Sequence, residues 1–133
     1  MEENITTPKP LILVAEDDES NFNLIKAIIG RRCDLAWARN GEEAVRLYQS
    51  GSPAPAAILM DIKMPVMNGL EAMRAIRATN RDIPIIVQTA YAFSSDKENA
   101  LSAGANEVLV KPITSAVLRG ALIRFLPELS FGN

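Results

Sequence analysis

The chain should fold as an α/β domain, a doubly wound five-stranded parallel sheet with helices on both faces. Three observations predict it. Strand-like and helix-like segments alternate five times, the connections between them are short, and the strand-like segments are apolar throughout, as strands covered on both faces must be. With 133 residues the chain is the size of one compact domain with one core.

The elements follow in order. LILVA (Leu11 to Ala15) is a short continuous apolar run and reads as a buried strand. From Ser20 the period changes: Phe22, Ile25 and Ile29, with Leu24 and Ile28 beside them, recur at three- and four-residue steps and predict one helical face ending near Gly30. DLAWA, with Leu35 and Trp37 on one side, predicts the second strand. Asn40 followed by Glu43 resembles a capping box, and Ala44, Leu47 and Tyr48 supply the stripe of a helix that Gly51 and Pro53 end. Ala56 to Met60 predict the third strand, and GLEAMRAIRA a helix with Leu70, Met73 and Ile76 inward. IPIIVQT is the fourth strand, with Pro84 tolerable near its start. SSDKENALSAG is a more polar helix closed by Gly104, EVLV the fifth strand, and TSAVLRGALIRFL a last helix with Val117, Ala121 and Phe125, joined by Leu118 and Leu122, on its inner face.

Composition narrows the function. Apolar residues make up 48% and charged residues 23% of the chain, ordinary for a soluble globular protein. The net charge of -2 with scattered Lys and Arg forms no basic stripe, which argues against direct nucleic-acid binding. The leader MEENITTPKP is polar, and no segment approaches the ~18 apolar residues of a membrane span, so the expected location is cytoplasmic with no membrane contact by this domain. Cys33 is the single cysteine and there is no histidine. An internal disulfide and a thiolate-rich metal site are thereby excluded. Chemistry must come from carboxylates, hydroxyls, lysine and main chain.

Ligands of open parallel sheets bind outside the carboxyl ends of the strands, near the point where strand order reverses. The first strand ends at Glu16 and Asp17, the third at Asp61, the fourth at Thr89 and the fifth at Lys111. Three carboxylates, a hydroxyl and an ammonium should therefore meet at one edge. Close carboxylates repel unless a cation is present, and oxygen ligands without His or Cys favour Mg²⁺. A carboxylate can also attack phosphorus to give an aspartyl-phosphate. Lys111 would then meet negative charge on one phosphoryl oxygen while Thr89 donates to another, and no general base is required.

The stretches LILVAEDDESN, ILMDIKMPVMNG, VQTAYA and VLVKPI, in this order and at this spacing, resemble the receiver domain of bacterial response regulators from Pro10 to about Leu126. The resemblance implies a flavodoxin-like sheet, with residues 1–9 as a tail or linker, 10–127 as the receiver domain and 128–133 as a C-terminal tail. It implies Asp61 as phosphoacceptor, Glu16 and Asp17 as the acidic pair holding Mg²⁺, and the main-chain carbonyl of Lys63 as the remaining protein ligand. Thr89 would be the switch hydroxyl and Lys111 the phosphate-contacting lysine, its bond to Pro112 usually cis in the family. The acidic run itself allows either Glu16 with Asp17 or Asp17 with Asp18; the family's register places the pair directly after the strand and selects the first. Glu16 stands where aspartate is commoner and is expected to reach the ion through water. The wording EDDESN is closer to receivers of hybrid sensor kinases than to stand-alone ones.

The family's usual switch aromatic, three residues before the lysine, is here Val108, and Tyr91 is the nearest aromatic that would substitute or gate the site. The implied phosphodonor is a histidine kinase or a histidine phosphotransfer protein. The implied output face is the fourth helix, fifth strand and fifth helix, through which an output partner or a second copy would dock. Two rival functions use similar groups. A Mg²⁺ phosphatase of the haloacid-dehalogenase type carries its nucleophile on the first strand in a D-x-D pattern, an order this chain does not have. A phosphorylation-independent interaction domain usually loses the acceptor or the lysine, and both are present. A flavin site would want glycine and hydroxyls where the first loop is acidic.

Overall fold

The computed structural model describes residues 9–51, 54–90 and 95–131. Strands and helices alternate as β1 (Leu11–Ala15), α1 (Glu19–Ile29), β2 (Asp34–Ala38), α2 (Gly41–Ser50), β3 (Ala57–Asp61), α3 (Gly69–Arg77), β4 (Ile85–Thr89), α4 (Asp96–Ala103), β5 (Glu107–Val110) and α5 (Ser115–Phe125). All four strand pairings are parallel and the order is β2-β1-β3-β4-β5. The order reverses between β1 and β3, which opens a crevice above their carboxyl ends.

Helix starts are fixed by side chains that accept orphan backbone donors. Asp18, Asn40 and Thr114 cap α1, α2 and α5, and Asn68 with Glu71 forms a reciprocal capping box on α3 at 2.9 and 3.0 Å. The Glu43 carboxylate reaches the backbone N–H of Arg39, one residue further back than a capping box requires. Ser95 gives α4 no such cap. Gly104 ends α4 at φ 117°, in the left-handed region that favours glycine.

The core has two layers. Ile12, Val14, Leu59 and Ile86 face α1 and α5, meeting Phe22, Ile25, Leu118 and Leu122. Leu13, Ile58, Met60, Ile85 and Val87 face the other helices, meeting Ala44, Met73, Ile76 and Ala100. At ~1.5–3 kcal/mol for each large side chain buried, these layers dominate the stability. Three side chains expected inside, Leu24, Leu47 and Val117, are exposed. In each case a neighbour on the same helix takes the inner position: Ile25, Val45 and Leu118. Beyond α5, where a tail was expected from residue 128, Leu126 and Leu129 are buried in the first layer and Phe131 packs against it beneath the Arg119 guanidinium.

β3 runs one residue later than its apolar pattern suggests, from Ala57 to Asp61, so the carboxylate belongs to the last paired residue of the strand, opposite Gln88 of β4. Gly69 begins α3 against this strand end: its N–H donates to the Ile62 carbonyl at 2.8 Å, and a Cβ on it would lie 2.1 Å from the Asp61 carbonyl oxygen. No helix of the described residues is long and apolar enough to cross a membrane.

Candidate functional site

A cleft of about 300 Å³ lies over the carboxyl ends of β1, β3, β4 and β5, lined by Glu16, Asp17, Asp61, Lys63, Thr89 and Lys111 among others. Rigid strands deliver the groups: the last residues of β3 and β4 are buried, so Asp61 and Thr89 are held by the sheet rather than by loops. The peptide between Lys111 and Pro112 is cis.

Glu16, Asp17 and Asp61 each offer a carboxylate oxygen, and these oxygens lie within 4.8 Å of one another. The Lys111 ammonium lies 3.0 Å from Asp61 Oδ2 and 3.5 Å from Glu16 Oε1. Asp18 is not part of the cluster; its side chain accepts from the Ser20 N–H at 2.9 Å and caps α1. Of the two acidic pairings the sequence allows, the geometry brings Glu16 and Asp17 to Asp61. An all-oxygen donor set with this excess of negative charge suits a hard divalent cation.

Burial sets the electrostatics. Glu16 is fully buried, which pushes its pKa up from 4.5 to about 7; the hydrogen bond from Asn21 opposes the rise, the Asp61 charge adds to it, and Lys111 opposes it. For Lys111, burial works to lower the pKa, but the hydrogen bond and charge of Asp61, followed by Glu16, outweigh it and hold the ammonium above the ordinary lysine value. The site therefore carries a permanent cation and at least one carboxyl poised near neutrality.

Several contributors have no counterpart in the sequence reading. Gln88, buried in β4, donates its amide to Glu16 Oε1 at 3.3 Å, and Asn21 of α1 donates to the same oxygen at 2.5 Å and to Gln88 Oε1 at 3.2 Å. The Asp18 N–H donates to Glu16 Oε2 at 3.1 Å, and the Trp37 indole N–H to the Glu16 carbonyl at 2.8 Å. The available signal was a polar amide inside an otherwise apolar strand, which a buried position must satisfy. The Thr89 hydroxyl donates to Asp96 Oδ2 at 3.3 Å, at the start of α4. Val108 pairs in register with Val87 and packs against the layer containing Ala100 and Ala103 of α4. Tyr91 lies outside the described residues.

Comparison with known proteins gives one consistent picture. The family profile described as response regulator receiver domain matches residues 12–123. Hybrid signal transduction histidine kinase I of Dictyostelium discoideum is 39% identical over 80% of this chain and 7% of its own length. The autoinducer 2 sensor kinase/phosphatase LuxQ of Vibrio vulnificus is 37% identical over 90% of this chain and 15% of its own. The chain thus spans a small part of these relatives. The crystal structure of the receiver domain of a sensor histidine kinase from Pseudomonas aeruginosa, with a magnesium ion coordinated in its active-site cleft, is 36% identical, with a TM-score of 0.83 over 91% of this chain and 100% of that one.

Proposed function

The chain belongs to the response regulator receiver domain family, and from that premise we propose that it accepts a phosphoryl group on Asp61 with Mg²⁺ held beside the acceptor. The observation that carries this reading is the convergence of three carboxylates and the Lys111 ammonium around the end of β3. Asp17, Asp61, the Lys63 carbonyl and, through water, Glu16 would hold the ion. Bound Mg²⁺ supplies charge neutralisation where an anionic phosphoryl group meets anionic carboxylates.

The remaining work belongs to the chain. An Asp61 carboxylate oxygen attacks phosphorus of a phosphohistidine; the new O–P bond forms as the P–N bond breaks, and the imidazole leaves with that electron pair and takes a proton from water. Lys111 exchanges part of its contact with Asp61 for a phosphoryl oxygen, and the Thr89 hydroxyl turns toward another. The 133 residues contain no histidine, so the donor, a histidine kinase or histidine phosphotransfer protein, lies in another domain or chain.

The domain acts as a phosphoacceptor rather than a turnover enzyme, and its cytoplasmic placement follows the sequence expectation. It begins near Pro10 and continues to at least Phe131, given the packing of Leu129. Its likeness to receivers within hybrid kinases supports an origin in such a protein. Thr89 and Val108 would pass the phosphorylated state to α4 and the α4-β5-α5 face, where an output partner or second copy binds.

Incubation with acetyl phosphate and Mg²⁺ followed by intact-mass measurement tests the reading. One added phosphoryl group is expected on the wild type and none on Asp61→Asn. An unlabelled wild type, or undiminished labelling of the variant, overturns it.

A further inference from the structure

We infer that Asn21 and Gln88 act as a positioning pair that fixes the Glu16 carboxylate as an acid of the metal site. Glu16 has one methylene more than an aspartate would, and an unrestrained carboxylate on that longer arm would sample several rotamers. Here it is held in one. Asn21 of α1 and Gln88 of β4 both donate to Oε1, at 2.5 and 3.3 Å, and Asn21 also donates to the Gln88 amide oxygen at 3.2 Å, closing a three-membered ring of hydrogen bonds. The Asp18 N–H takes Oε2.

The placement of Gln88 gives the ring its reach. Gln88 is buried and stands opposite Asp61 in the β3–β4 register, and its carbonyl accepts from the Ile62 N–H at 3.3 Å. An apolar side chain there would pack against the α1–α5 layer like Ile86 two residues earlier. The amide instead meets the Glu16 carboxylate, which an apolar residue cannot satisfy. Outer-shell partners of this kind orient a metal's acids, and their loss typically lowers metal affinity about 10- to 100-fold.

The substitution Glu16→Asp would withdraw the carboxylate from both amides by about one bond length, ~1.5 Å. The pair should then have nothing to hold. This makes the role separable from general packing, and it rests on the reading of Glu16 as a metal acid.

The test is a double-mutant cycle on Mg²⁺ affinity, measured by calorimetry and by fluorescence of Trp37, the single tryptophan, whose indole is bonded to the Glu16 carbonyl. Wild type, Gln88→Leu, Glu16→Asp and the double variant are compared, with urea stability recorded separately. Gln88→Leu should weaken Mg²⁺ binding about tenfold or more in the wild-type background and less than about twofold in the Glu16→Asp background. Equal losses in both backgrounds, or no loss, overturn the inference. Asn21→Ala, on a half-exposed helix position, repeats the cycle if Gln88→Leu does not fold, with the same two outcomes. Failure of the wild type itself to bind Mg²⁺ would instead refute the metal reading on which the inference stands.

Discussion

The Lys111 ammonium stands 3.0 Å from Asp61 Oδ2. The cation that would steady an incoming phosphoryl group is thus already paired with the acceptor, and it also partly offsets the repulsion among three carboxylates. Lys111→Ala should therefore move two properties in opposite directions. Without metal, the variant loses about 1–2 kcal/mol of stability, less than a fully buried pair because the lysine side chain is 25% exposed. Toward Mg²⁺, it gains affinity, at least about threefold, because a positive charge no longer competes for the same oxygens. Calorimetric titration and urea denaturation in chelator check the two signs; weaker Mg²⁺ binding would contradict the assignment.

Burial of Glu16 yields a pH dependence with a definite sign. Its pKa stands at about 7 in the folded chain against an ordinary 4.5, so the folded state binds the proton more tightly. The resulting stability is fully present below about 4.5 and is lost as pH rises through about 7, a loss of up to about 3 kcal/mol in metal-free buffer. Glu16→Gln stays neutral throughout. Relative to wild type, the variant should become more stable by about 2–3 kcal/mol between pH 5 and pH 8, and Mg²⁺ should narrow the gap at pH 8 by favouring the ionised wild type. A difference that does not change with pH would refute this account.

All five strands were legible, β1 and β3 as apolar runs that stop on an acid, β2 as an alternating segment, and β4 and β5 as short, mainly apolar stretches between helical patterns. The inner faces of helices were less so. Where apolar residues sit side by side, as at Leu24 and Ile25 or Val117 and Leu118, either can lead the stripe, and only the angle at which the helix meets the sheet decides. Of Gln88 and Asn21 only the first left a signal, a polar amide in an apolar strand, and their pairing left none. They are 67 positions apart, and a contact between an amide in a strand and one on a helix leaves no periodic trace. The acidic run alone left Asp18 and Glu16 as alternatives and the family's register chose Glu16; in the structure Asp18 caps α1, while Glu16 lies with Asp17 and Asp61.

Gly69 shows how closely the fold constrains the acceptor. A Cβ there would fall 2.1 Å from the Asp61 carbonyl oxygen, whereas nothing lies within 4 Å of one at Gly120 in α5. Gly69→Ala should cost about 1–3 kcal/mol by forcing backbone apart, and should slow labelling of Asp61 as the strand end shifts. Gly120→Ala should stabilise by about 0.5–1 kcal/mol, since the helix loses only glycine's extra freedom. Thermal or urea denaturation of the two variants side by side gives opposite signs if the close approach is the cause.

The bond from Thr89 to Asp96 ties the site to α4. For the Thr89 hydroxyl to meet a phosphoryl oxygen it must turn from Asp96, the first residue of α4, a helix that Ser95 starts without a side-chain cap. Thr89→Val removes the hydroxyl and keeps the branched shape, while Asp61, Lys111 and the acidic pair stay in place. The variant should still be labelled by acetyl phosphate, at a rate reduced by about 10- to 100-fold, the rough contribution of one hydrogen bond to a charged group. What it should lose is the response of α4. In the wild type, phosphorylation should change amide exchange along Asp96–Ala103; in Thr89→Val the exchange should match the unphosphorylated protein. An α4 response that survives the loss of the hydroxyl would mean that the signal leaves the site by another route, with Val108, packed against the layer that includes Ala100 and Ala103, the next residue to test.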